Sequence, residues 1–73
     1  MNTKKKIGLR VKELRLKSNI TQQALADSTG LDRTFISHIE SGERNIAIET
    51  LEKLISGLDI SFKSFFASKY FVR

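Results

Sequence analysis

Seventy-three residues weighing 8.3 kDa suffice for one domain, whose small core stabilises by only a few kcal/mol without a staple or a partner. With no cysteine and a single histidine, the chain has no means of forming disulfides, thiolate sites or a His/Cys metal cluster, so no metal or cofactor is expected. Thirteen Lys and Arg against eight Asp and Glu leave +5 and a pI near 9.9, a balance suited to a polyanion such as nucleic acid or an acidic membrane surface.

The opening stretch MNTKKKIGLRVK is basic with no apolar run behind it, so neither a secretory signal nor a spanning helix is expected, and the reading is a cytoplasmic, unprocessed chain. Ile7, Val11, Leu14 and Leu16 to Ile20 recur at helical spacing behind a Lys/Arg-rich face, predicting a first helix over about 4–18. Thr21 is a good N-cap for a second helix over about 22–28 that buries Leu25 and Ala26. Gly30 behind it suits a left-handed turn. Asp32, whose charge favours a helix N-terminus, caps a third helix over about 33–41 with Ile36 and Ile39 inward and Gly42 at its end. A fourth over about 48–56 turns Leu51, Leu54 and Ile55 inward and stops at Gly57. Ser61 opens a fifth over about 62–68, with Phe62 and Phe65 expected to complete the core.

The expected fold is therefore all-α, five short helices in one domain over residues 1–73, with a core of about 7–66 and a tail of 67–73 at or near a subunit interface. Charge is unevenly spread along it. Residues 1–19 carry +6, residues 20–46 carry −2 and residues 47–73 carry +1. The basic surplus belongs to the first helix, where it suits steering and salt-dependent attraction.

The central stretch TQQALADSTGLDRTFISHIESGERN joins two short helices through a glycine turn, the second opening on polar side chains behind an Asp cap. Position by position it resembles the helix-turn-helix of the lambda-repressor-like, Cro/C1-type DNA-binding family. Gln22 opens the first helix, Ala26 is the small residue at the crossing, Gly30 sits in the turn with Leu31 beside it, and Ile36 and Ile39 are the buried pair. Arg15 in LRLKSNITQ and Glu40 in ISHIESGERN stand where that family places a buried ion pair. The resemblance covers about residues 7–66, and LDRTFISHIESGERNIAIETLEKLISGLDISFKSFF is most similar to restriction–modification controller proteins. It implies a homodimer that binds its own promoter region, as activator, repressor or both. Antitoxins and small phage repressors use the same fold and stay open as alternatives.

Helical geometry places Arg33, Thr34, Ser37 and His38 on one polar face opposite Ile36 and Ile39, where an N-terminal recognition face meets base edges in the major groove. Arg33 is suited to a bidentate contact with guanine, and a cation at a helix N-terminus is otherwise unfavourable. Thr34 and Ser37 gain support only from sharing that face, and His38 is equally an ordinary exposed histidine. Gln22 at the second helix's N-terminus is a candidate for the DNA backbone. Ser41, Arg44 and Asn45 lie where the family grips phosphates. Phe35, at the edge of the buried face, is either partly core or a contact to DNA or to a partner subunit. Phe62, Phe65, Phe66, Tyr70 and Phe71 form a dense aromatic cluster. A homodimer built on the fourth and fifth helices is expected, with Phe62, Phe65 and Phe66 at its interface, a frayed tail being the blander reading.

Other functions fit less well. A protein–protein module such as an antitoxin would carry an extended tail. No nucleophile–base pair, metal cluster or phosphate loop suggests an enzyme. No membrane contact and no small-molecule ligand are expected. Activation would need RNA polymerase as a further partner, with Glu43 and Glu49 as acidic candidates.

Overall fold

Among the described residues, four of the five helices start where a side-chain oxygen meets the first free backbone N–H groups. In the computed structural model, which describes residues 1–71, α1 spans Thr3–Lys17, α2 Gln22–Thr29, α3 Arg33–Glu40, α4 Ile48–Gly57 and α5 Phe62–Phe66. Asn2 Oδ1 accepts from Lys5 N at 3.0 Å, Thr21 Oγ1 from Ala24 N at 3.0 Å, Asp32 Oδ2 from Thr34 N at 2.9 Å, and Ser61 Oγ from Ser64 N at 3.0 Å. Only α4 begins without such a cap, behind Ala47. All regular structure among the described residues is helical, and no helix there is long and apolar enough to cross a membrane. The last two residues of the expected 67–73 tail, Val72 and Arg73, lie outside the described range.

The helix ends separate two uses of glycine. Gly30 and Gly42 adopt φ of 73° and 78°, the left-handed geometry that a Cβ disfavours, and turn the chain out of α2 and α3. Gly57 was expected to stop α4 in the same way but is its last helical residue. Asp59, at φ 58°, makes the left-handed turn instead. Gly57 is small because α2 crosses it: a Cβ there would sit 2.5 Å from Thr29 Cγ2 and 3.2 Å from Leu25 Cδ1. Gly8 has the same role in α1, where a Cβ would collide with the Ile39 carbonyl of α3.

Val11, Leu25, Ala26, Ile36, Ile39, Leu51, Leu54, Ile55, Leu58 and Phe65 form the core, contributed by α1 to α5 and the turn after α4. Two apolar expectations fail. Leu16 is 55% exposed on the outer side of α1, and Phe62 is 45% exposed rather than in the core. Helix α5 is also shorter than expected. The chain leaves it at Ala67, and Ser68 Oγ accepts from Tyr70 N at 3.2 Å. That turn folds the half-buried Phe71 back, its ring 6.2 Å from Phe65 and 4.9 Å from Phe66. Much of the aromatic cluster thus closes on itself within one subunit.

Candidate nucleic-acid interface

The second and third helices are locked together from behind by charge. Arg15 of α1 reaches Glu40 at the end of α3 through two parallel bonds, Nε to Oε2 at 2.7 Å and Nη2 to Oε1 at 3.0 Å. Its remaining arm, Nη1, donates to the Ile20 carbonyl at 2.9 Å, and Arg15 and Glu40 are both buried. The Arg15 pKa is raised, chiefly by the hydrogen bonds it donates to Glu40 and further by the Glu40 charge, against the opposing effect of burial. Gln22 Nε2 donates to the same Glu40 carboxylate at 3.1 Å. One acid therefore ties α1, the first residue of α2 and the end of α3 into a single unit.

Arg10 carries a second network that sequence reasoning missed. Counted there among the basic residues of the exposed face, it is instead buried. Its Nε donates to the Phe65 carbonyl at 2.8 Å, Nη2 to the Ser64 carbonyl at 2.7 Å, and Nη1 to Glu13 Oε1 at 2.8 Å. The two bonds to carbonyls give the end of α5 a charged donor and fix α5 to α1. A signal was present: Arg10 lies three residues after Ile7 and four before Leu14, on the apolar stripe, where an arginine calls for internal partners.

On the opposite side, α3 presents its polar face. Arg33 and Thr34 are exposed, Ser37 is half-buried, and the His38 side chain is 43% exposed, with Ile36 and Ile39 fully buried behind them. Asp32 fixes the start of this helix through Thr34 N and Phe35 N. The chain then turns at Gly42, with Glu43 N donating to the His38 carbonyl at 3.0 Å. Ser41, Arg44 and Asn45 are exposed around this turn, which places them beside the end of the α3 face. Ser41 Oγ is used locally on the His38 carbonyl at 3.0 Å, and Glu43 Oε2 lies 3.9 Å from His38 Nε2. Phe35 is half-buried against the core, and the Arg44 guanidinium lies over its ring, 5.3 Å from the centroid.

The aromatic residues assigned to a dimer interface divide. Phe62 and Phe66 are 45% and 36% exposed, whereas Phe65 is fully buried in the core of its own subunit. Phe65 thus completes the core, as expected of it, and is corrected only in being removed from the interface. Helix periodicity could not separate neighbouring rings whose burial depends on where a five-residue helix docks.

A helix-turn-helix family profile matches residues 11–65. The chain belongs to the helix-turn-helix family. Among its relatives is the control protein C.MunI of Mycoplasma sp, 38% identical over 63 residues that make up 85% of each chain. The same fold occurs in the restriction–modification controller protein C.Esp1396I, solved as a tetramer with its natural 35 base-pair operator. That likeness has a TM-score of 0.84 at 41% identity, over 86% of this chain and 83% of that one. The controller protein C.AhdI of Aeromonas hydrophila matches with a TM-score of 0.82 at 36% identity, over 86% and 96% of the two chains. The resemblance read from the motif and its ion pair is thereby borne out.

Proposed function

We propose that this chain is a sequence-specific DNA-binding transcription regulator that acts in the cytoplasm as a homodimer on a two-fold operator, as a restriction–modification controller protein regulating its own promoter. The observation that carries the reading is the exposed polar face of α3, Arg33, Thr34, Ser37 and His38, held rigid by the Asp32 cap and the Glu40 network. Family membership and the operator-bound tetramer of C.Esp1396I support it.

In this reading the four α3 side chains meet base edges, and Arg33 reads a guanine. Gln22, Ser41, Arg44 and Asn45 meet the sugar–phosphate backbone. Residues 1–73 act as one domain, and Phe62 and Phe66 lie toward the second subunit. RNA polymerase is the further partner when the bound dimer activates.

Selection of duplexes from a random-sequence pool, followed by sequencing, tests this. Two-fold sites with half-sites about 34 Å apart are expected. Arg33→Ala should lose discrimination at one base pair per half-site by about 1–3 kcal/mol. A pool that stays random, or a preference unchanged by Arg33→Ala, overturns the assignment. Phe62→Ser should weaken self-association in sedimentation without unfolding the subunit, because that ring is 45% exposed and lies outside the core.

A further inference from the structure

Arg44 sits on an exposed turn, and a free arginine there samples many rotamers, each of which must be given up when the side chain is held against a ligand. Its guanidinium is nevertheless placed over the Phe35 ring, 5.3 Å from the centroid and within the range of a cation–π contact. Phe35 itself is anchored. It is half-buried against the core, and its backbone N–H is held by the Asp32 cap at 3.4 Å. It also follows Arg33 and Thr34 directly in the chain. The turn that presents Arg44 is closed by Gly42 at φ 78° and by the bond from Glu43 N to the His38 carbonyl. Both ends of the contact are therefore fixed to α3.

We infer that Phe35 is a positioning residue: its ring holds the Arg44 guanidinium beside the α3 face, pre-ordered for a DNA anion, and itself touches no base. This rests on the DNA-binding reading above. It assigns Phe35 a purpose that neither partial core burial nor direct contact with DNA describes. The ring lowers the ordering penalty on Arg44, so its effect on binding depends on Arg44 being present.

The test is a double-mutant cycle on a duplex selected by the wild-type protein, comparing wild type, Phe35→Leu, Arg44→Ala and the double variant at one salt concentration. A cation–π contact at an exposed site is worth about 2- to 5-fold, so two half-sites give about 4- to 25-fold. Phe35→Leu is expected to weaken binding by that factor with Arg44 present and to change nothing in the Arg44→Ala background. Phe35→Tyr, which keeps the ring, should retain the coupling. Equal losses in both backgrounds overturn the inference while leaving the functional reading intact. A wild-type protein that enriches no duplex overturns both.

NMR of the free protein supplies a readout independent of DNA and of any variant's folding. The Arg44 δ protons should be shifted by the ring current and the guanidinium ordered. Unshifted, freely averaging signals overturn the inference.

Discussion

Four arginines divide this molecule into two regions that use the same side chain in opposite ways. On α1, Arg10 and Arg15 turn inward: each is buried and each spends its donors on fixed internal acceptors. Around α3, Arg33 and Arg44 turn outward, one at the start of the helix and the other over an aromatic ring beyond its end. The contrast changes the meaning of the net charge. Residues 1–19 hold the basic surplus, yet two of their seven Lys and Arg residues brace the fold. The lysines are left as the source of long-range attraction. The region that is net acidic by sequence, residues 20–46 at −2, carries the face assigned to recognition.

Breaking the inward set should have the largest effect. Glu40→Ala leaves Arg15 buried without its acid and removes the acceptor for Gln22, so a loss of about 3–5 kcal/mol is expected. For a domain of this size that lowers Tm by at least about 12 °C, measured by circular dichroism. The pH dependence has a definite sign. Because the folded Arg15 pKa is raised, its contribution is fully present below the unfolded value and is lost only as pH rises through the folded one. Arg15 itself should therefore contribute no loss of stability as pH rises from neutral into the mildly alkaline range, and urea titrations of wild type against Arg15→Met across that range check it.

Arg10→Ala should cost about 1.5–3 kcal/mol, since the carbonyls at the end of α5 lose a charged donor. The loss should appear as faster amide hydrogen exchange in α5 while the helix-turn-helix stays protected. Equal exchange in both regions would mean that Arg10 does not act locally.

The outward set should respond in the opposite way. Arg33→Ala should leave stability within about 0.5 kcal/mol, while discrimination at one base pair falls as described above. The smallest effect belongs to the lysines. Replacing Lys4, Lys5 and Lys6 together by Gln should flatten the salt dependence of DNA binding by at most about 3 in log–log slope. Sequence preference should be unchanged in the same titration.

Much of this arrangement is legible residue by residue. Thr21, Asp32 and Ser61 announce helix starts because a cap needs only a short side-chain oxygen within three residues of the N–H it satisfies. Gly30 and Gly42 announce turns because a positive φ is a local property. The Arg33–Thr34–Ser37–His38 face follows from helical period alone. Arg10, Gly57 and the division between Phe65 and its neighbouring rings were not legible in this way, and each is decided across the fold. Arg10 meets carbonyls 54 and 55 residues away. Gly57 is small because Thr29 and Leu25 cross it. Phe65 is buried while Phe66 beside it is not, a choice made by how α5 docks and by the return of Phe71.

The sequence by itself determined the helices, their starts, the polar face of α3 and the kinship with helix-turn-helix proteins, because caps, turns and periodicity act over a few residues. Only the tertiary structure decided which arginines hold the molecule together, which aromatic rings remain outside, and that Arg44 rests on Phe35. Those outcomes depend on which acceptors and ring faces come within reach once distant segments pack, and spacing along the chain does not encode that.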